Sequence, residues 1–152
     1  QKLVSDDADE IPITDPRMTR FWITLQEGVD FVMKSFQRMH GGELFVPKIP
    51  STLITDIAEA VAPGKPLKII GIRPGEKLHE LMISRDDSAH TFEFADHYVI
   101  TPSIRFVNSG SYETNGLGET GTPALEGFKY ASDSNPVFLS VADIRTLSKM
   151  TA

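Results

Sequence analysis

Two arginines occupy positions from which a side chain can reach a bound anion. Arg73 follows the apolar run from Leu67 to Ile72 and opens the turn Arg73-Pro74-Gly75-Glu76-Lys77. Arg20 adjoins the short apolar run Phe21-Trp22-Ile23, just ahead of a helical pattern. In open α/β sheets ligands settle beyond the carboxyl ends of the strands, where backbone N–H groups and side chains converge. A guanidinium forks onto two phosphate oxygens, so two arginines at two strand edges are suited to clamp a pyrophosphate. An arginine after a strand also serves as an ordinary surface ion-pair partner, and sequence does not choose between the two uses. The turn is no P-loop, because Gly-x-x-x-x-Gly-Lys-Ser/Thr does not occur.

Other chemical signals fall away. Gly116-Leu117-Gly118-Glu119-Thr120-Gly121 spells the dinucleotide fingerprint G-x-G-x-x-G. That motif works only where a buried strand delivers the first glycine and a helix N-terminus receives the pyrophosphate. Here Ser111 to Asn115 precede it and Pro123 follows with no helical period, so it reads as a flexible loop and not a cofactor site. The histidines (His40, His79, His90, His97) form no His-Glu-x-x-His, and no metal site is expected. Without a Gly-x-Ser-x-Gly elbow a hydrolase triad has no anchor.

The elements that must carry these residues follow from periodicity. Thr24 with Glu27 makes a capping box, and Leu25, Val29, Val32, Phe36 and Met39 recur at helical spacing as one stripe expected to be buried, ended by Gly41-Gly42. Leu44-Phe45-Val46 reads as a strand. Ser51 or Thr52 caps a helix bearing Leu53, Ile54, Ile57 and Val61 up to Pro63-Gly64. Leu67 to Ile72 is expected to be a buried strand, followed by a short helix from about Glu76 to Met82. Phe92, Phe94, Tyr98 to Ile100, and Ile104 with Phe106 suggest extended structure. Residues 108–123, rich in Gly, Ser and Thr, are expected to form a mobile surface loop. Ser140 caps a last helix with Val141, Ile144, Leu147 and Met150 inward. Short strands alternating with helices give an α/β or α+β class.

The chain has 152 residues, 40% hydrophobic and 24% charged, enough for one domain with a core and too apolar for a disordered tail. A net charge of −6 argues against a protein that coats nucleic acid. The absence of cysteine excludes disulfide staples and thiolate chemistry, and sets the expectation of a reducing, cytoplasmic setting. No apolar run is long enough for a membrane helix. A start at Gln1-Lys2-Leu3, with neither initiator Met nor signal peptide, suggests a piece of a longer protein.

Three blocks carry a resemblance. Thr14-Asp15-Pro16-Arg17-Met18-Thr19-Arg20-Phe21-Trp22-Ile23-Thr24, then Gly42-Glu43-Leu44-Phe45-Val46-Pro47-Lys48-Ile49-Pro50-Ser51, then Gly71-Ile72-Arg73-Pro74-Gly75-Glu76-Lys77-Leu78-His79-Glu80 come in one family's order and spacing. The sequence resembles the inverting UDP-N-acetylglucosamine 4,6-dehydratases of bacterial pseudaminic acid synthesis, which are extended short-chain dehydrogenase/reductases. The ending Phe128 to Asn135 and Leu139-Ser140-Val141 agrees. The resemblance implies an NADP enzyme that oxidises C4 of the sugar, eliminates water across C5–C6, and returns the hydride to C6 with inversion at C5. It also implies that Arg20 and Arg73 contact the UDP diphosphate. Glu76 then accepts hydrogen bonds from the ribose or uracil side, orients Arg73, or simply places a negative charge at a helix start. Lys48 and Lys77 read as solvated.

The Gly-rich Rossmann half of that family has no counterpart here. Nor does the catalytic Tyr-x-x-x-Lys pair, since Tyr98, Tyr112 and Tyr130 are followed four residues on by Pro102, Gly116 and Ser134. The whole chain, 1–152, is therefore expected to be the C-terminal, UDP-sugar-binding portion of such an enzyme, inactive alone, with NADP held by the missing part. A homo-oligomer is expected, with neither nucleic acid nor membrane as partner. The competing reading is a non-enzymatic module that self-associates through apolar surface around Phe45 and Ile69-Ile70.

Overall fold

In a computed structural model the described residues are 9–104 and 111–150, with side chains described to 148. The expectations for Phe106, for the start of the 108–123 segment and for the Met150 side chain fall outside them. The elements are β1 (Ile11–Ile13), β2 (Thr19–Phe21), α1 (Leu25–Arg38), β3 (Leu44–Pro47), β4 (Ser51–Leu53), α2 (Ile54–Val61), β5 (Leu67–Ile69), β6 (Leu81–Ile83), a 3₁₀ turn (Asp86–His90), β7 (Thr91–Glu93), β8 (His97–Ile100), β9 (Thr122–Pro123), β10 (Tyr130–Ala131) and α3 (Val141–Met150). Mixed, short strands and helices agree with the α/β (α+β-like) expectation. The chain divides into two compact units: 1–24 with 49–80 and 131–152, and 25–48 with 81–130.

In the first unit β1 runs parallel to β5, Ile11 opposite Leu67, and β2 runs antiparallel to β4, Arg20 opposite Thr52. Ile13, Met18, Ala58, Ala62 and Ile144 make its core. Ser140 and Asp143 form a reciprocal capping box for α3: the Ser140 N–H donates to Asp143 Oδ2 at 2.9 Å and the Asp143 N–H to Ser140 Oγ at 3.2 Å. Ser51 and Thr52, expected as helix caps, lie instead fully buried inside β4. Backbone bonds to Val137 and Leu139 draw Ser51 into extended structure, and the Ile54 N–H at the start of α2 is satisfied by the Met18 carbonyl at 3.0 Å. The helix expected over Glu76 to Met82 does not form. Its carbonyls are engaged elsewhere, Leu78 O by the Thr19 N–H at 3.1 Å and Lys77 O by Arg20, and Leu81–Ile83 is a strand. The expected buried strand from Leu67 is β5, and it is exposed: Leu67, Ile69, Ile70 and Ile72 lie open to solvent.

In the second unit the strands order β3-β8-β7-β9, antiparallel throughout, with Phe45 opposite Val99 and Phe92 opposite Val99 and Pro123. Helix α1 forms where its periodicity predicts, but turned. Gly28, Phe31, Ser35 and Arg38, spaced by three and four, are its less exposed or buried positions. The apolar stripe Leu25, Val29, Val32, Phe36 and Met39 faces solvent. Periodicity locates a helix's apolar face without saying what covers it.

Residues 111–123 pack, contrary to the loop expected there. Tyr112 and Asn115 are buried, the Gly116 N–H donates to Arg38 O at 2.8 Å, and the Tyr112 hydroxyl donates to Gly41 O at 3.0 Å. The segment satisfies carbonyls at and beyond the end of α1, which helices otherwise leave orphaned.

Candidate functional site

Arg20 sits in the middle of β2, inside a strand that begins earlier than Phe21-Trp22-Ile23. Its guanidinium is spent largely on its own unit. Nη1 donates to Thr19 O at 2.6 Å and Leu78 O at 3.3 Å, Nη2 to Lys77 O at 3.0 Å, and Nε lies 3.3 Å from Glu80 Oε1. Arg20 thereby holds the backbone immediately after Glu76, in the segment that follows the Arg73 turn.

The turn itself is closed. Glu76 N–H donates to Arg73 O at 3.0 Å, Gly75 has φ 87°, and Pro74 precedes it, the pattern of a type II turn whose third position favours glycine. Glu76 Oε2 accepts the Arg73 N–H at 3.0 Å, so the carboxylate braces the turn and does not serve a helix N-terminus. The Arg73 side chain is exposed and makes no ion pair or side-chain hydrogen bond among the described residues. It is free to meet an anion.

Sequence reasoning missed the polar chain behind this turn. Thr19 Oγ1 lies 2.8 Å from His79 Nδ1 and 2.7 Å from Ser132 Oγ, which in turn accepts the Glu80 N–H at 2.8 Å. Nearby, Arg17 donates to both Asp15 oxygens, at 3.0 and 2.8 Å, and these bonds hold the Asp15 carboxyl down at about 2. Both features lie within the resembling blocks, but only tertiary contact reveals that Ser132 joins residues 113 positions earlier.

A second cluster occupies the other unit. Arg38 is fully buried; Nη2 donates to both Asp96 oxygens at 2.8 Å and Nε to Glu119 Oε2 at 2.7 Å. His97 Nδ1 lies 2.7 Å from Asp96 Oδ1, and its ring stacks on Phe94 at 4.5 Å and Phe45 at 5.6 Å. Burial pushes His97 below its usual value although Asp96 pulls the other way. Burial also opposes ionisation of Asp96, but bonds from Arg38 and His97 outweigh it and hold that carboxyl well below the usual range. Glu119 is held at about 2, chiefly by Arg38 and then Asn115. Because an ionised Asp96 only accepts, His97 carries its proton on Nδ1, and Nε2 is left buried without a partner among the described residues.

This cluster decides the G-x-G-x-x-G question. Thr114 bridges Thr120 across a closed turn, and the carboxylate of Glu119 is bound to Arg38. A Cβ on Gly116 would meet Gln37 O at 2.6 Å, and one on Gly121 would meet the Phe94 ring at 2.7 Å. The glycines make room for the chain's own atoms, so these residues do not fit a cofactor pyrophosphate. Among the described residues no His/Asp/Glu group is arranged to hold a metal ion, and no helix is long and apolar enough to cross a membrane.

Comparison with known proteins agrees with the blocks. Residues 1–102 match the family model described as polysaccharide biosynthesis protein. A protein of Campylobacter jejuni named UDP-N-acetylglucosamine 4,6-dehydratase (inverting) is 57% identical over 95% of the chain, which spans 43% of that protein. A UDP-glucose 4-epimerase of Rickettsia massiliae is 34% identical over 70% of the chain, which spans 33% of it. The X-ray structure of Pen from Bacillus thuringiensis superposes with a TM-score of 0.74 over 98% of the chain and 42% of its own length, at 23% identity, a likeness of fold. The chain thus spans less than half of the longer proteins it matches. With motif blocks, fold and family model in agreement, it belongs to the polysaccharide biosynthesis protein family of extended short-chain dehydrogenase/reductases.

Proposed function

We propose that the whole protein is an NADP-dependent UDP-N-acetylglucosamine 4,6-dehydratase, inverting at C5, and that this chain is its substrate-side portion. The observation that carries the reading is the 57% identity over 95% of the chain to the Campylobacter jejuni protein of that name. Arg73 offers its unpaired guanidinium to the UDP diphosphate from a turn that Glu76 braces. Arg20, whose donors go to Thr19 O, Leu78 O, Lys77 O, Met18 Sδ and Glu80, holds Lys77 and Leu78 in place beside that turn and so supports the diphosphate site through the backbone. NADP and the redox residues belong to the remainder of the protein, so the chain alone is inactive. The 4-keto-6-deoxy product serves surface glycan synthesis of the pseudaminic acid type, in the cytoplasm.

Calorimetric titration of UDP into the 152-residue chain tests the anion site. Weak binding is expected, and Arg73→Ala should lower the affinity about tenfold or more, the effect of one charge-assisted contact to phosphate. Equal affinity in the two proteins would remove Arg73 from the site. Self-association through uncovered apolar surface is the second reading, favoured by the outward stripe of α1, and sedimentation separates it, since a clean monomer at high concentration would count against it.

A further inference from the structure

Behind the Arg73 turn, residues 77–80 are held at every position by β2 and by Ser132. Lys77 O and Leu78 O accept from Arg20 at 3.0 and 3.3 Å, and Leu78 O also accepts the Thr19 N–H at 3.1 Å. Glu80 O accepts the Ser132 N–H at 2.9 Å, and the His79 ring meets Thr19 Oγ1 through Nδ1 at 2.8 Å. The turn is placed by its two ends. Residues 71–77 are exposed, and the bonds across Arg73 and Glu76 are internal to the turn. Ahead of it the Ile70 N–H is tied to Ile13 O at 2.9 Å; after it comes the held segment 77–80.

The side chains in this support form one hydrogen-bonded chain whose direction is fixed. Each hydroxyl has a single proton to give. Ser132 is fully buried, and its Oγ accepts the Glu80 N–H at 2.8 Å. Its own proton has one acceptor among the described residues, Thr19 Oγ1 at 2.7 Å. Thr19, also buried, then gives its proton to its other partner, His79 Nδ1. The reverse direction would bury the Ser132 proton without an acceptor, at the full desolvation cost of that group. An imidazole nitrogen that accepts carries no proton, so the neutral His79 ring holds its proton on Nε2. His79 is half-buried, and Nε2 makes no hydrogen bond among the described residues and is not one of the buried unpartnered atoms, so it meets solvent.

We infer that Ser132 and Thr19 are positioning residues for the Arg73 anion site. Their hydroxyls, running from Glu80 to His79, fix the segment on which that turn is seated and hold His79 as the Nε2–H tautomer. Both hydroxyls are buried and fully engaged with the chain's own groups, so neither touches the anion. They act through the backbone, by keeping Arg73 where its guanidinium meets the diphosphate. A displacement of a positioned group by about 1 Å costs about a hundredfold where geometry is demanding, so a remote support can carry a measurable share of affinity. Ser132 reaches this site from 52 residues beyond Glu80 and 113 beyond Thr19. The inference deepens the proposed function and rests on it for the identity of the anion.

Nitrogen-15 NMR of the histidine rings at about pH 8, where an ordinary imidazole is neutral, reads the tautomer directly. His79→Gln identifies the signals by their loss. The wild-type ring should show a protonated Nε2 and a bare Nδ1; a protonated Nδ1 would overturn the inference. This arm needs no substitution in the protein measured, so an unstable variant does not remove the test. UDP affinity, read from amide shifts on titration, is then compared in wild type, Ser132→Ala, Arg73→Ala and the double variant. Ser132→Ala and Thr19→Val should each weaken binding about three- to tenfold, while Thr19→Ser, which keeps the hydroxyl, should stay within about twofold of wild type. In the Arg73→Ala background the loss from Ser132→Ala should shrink to less than about twofold, because no guanidinium is left to place. An equal loss in both backgrounds, or none in either, would overturn the inference. A wild-type chain without any UDP shifts would count against the proposed function, and amide exchange then decides the positioning role alone. The Glu76 N–H, which closes the turn, should exchange faster in Ser132→Ala, and an unchanged rate would overturn that role.

Discussion

Taking away the Arg38 guanidinium would leave Asp96 and Glu119 facing one another with, among the described residues, Lys34 as the remaining lysine or arginine partner, 3.3 and 3.6 Å from them. Both carboxylates keep part of their contact with water, so Arg38→Met should cost about 3 kcal/mol, the lower end for breaking a buried pair. The pH dependence has a definite sign. Glu119 is at about 2 in the folded chain against 4.5 ordinarily, so its contribution is present above 4.5 and lost as pH falls toward 2. Asp96 acts in the same direction. His97 is lowered from 6.5, so the folded chain favours its neutral ring, and this contribution is present above 6.5 and declines as pH falls through the lowered value. Urea denaturation between pH 7 and pH 2.5 should show stability falling on the acid side, and more shallowly in Arg38→Met. Parallel curves for the two proteins would place the acid sensitivity elsewhere.

At the scale of elements, the glycine turn over 116–121 gives a graded expectation. Gly121→Ala drives a methyl into the Phe94 ring at 2.7 Å and Gly116→Ala drives one into Gln37 O at 2.6 Å. Each should cost about 1–3 kcal/mol by overpacking. Gly118 has open space around its Cβ position and only a φ of 76° to overcome, so Gly118→Ala should cost less, about 1 kcal/mol. Thermal melts of the three variants would expose a wrong assignment if Gly118→Ala proved the most damaging. The same turn shows where sequence stops informing. Its spelling matched a cofactor motif and its composition matched a loop, while its structure is a cap over α1, because the partner carbonyls lie 78 residues away at Arg38. Elements with local signals were legible: α1 from its period, β7 and β8 from Phe92 and Tyr98 to Ile100, and α3 from Ser140 with Asp143. The helix expected after Glu76 was not, since Arg20 and Thr19 remove its carbonyls from 57 residues or more away. In the candidate site the arginines and the Pro-Gly turn were readable from residue type and spacing. The bracing by Glu76 and the link from Thr19 to Ser132 depend on folded proximity that no spacing rule encodes.

For the whole molecule, the proposed function makes the Arg73 turn an anion site whose remaining walls come from the longer protein. A net charge of −6 leaves the exposed Arg73 as a local positive feature on an acidic chain, which suits capture of one diphosphate better than of a polyanion. Under the proposed function, turnover depends on joining this surface to the part of the protein that supplies NADP and the proton-transfer residues. The isolated chain given NADP and UDP-N-acetylglucosamine should form no 4-keto product. A chimera of this chain with the remainder of the Campylobacter jejuni protein should form it. In that chimera Arg73→Ala should lower kcat/KM by about ten- to a hundredfold, the worth of a charged hydrogen bond to phosphate. Glu76→Gln, which keeps an acceptor for the Arg73 N–H, should lower it much less, because the turn stays closed. Full activity in the Arg73→Ala chimera would mean that the diphosphate is held elsewhere, whereas turnover by the isolated chain would mean that the redox machinery lies within these residues after all.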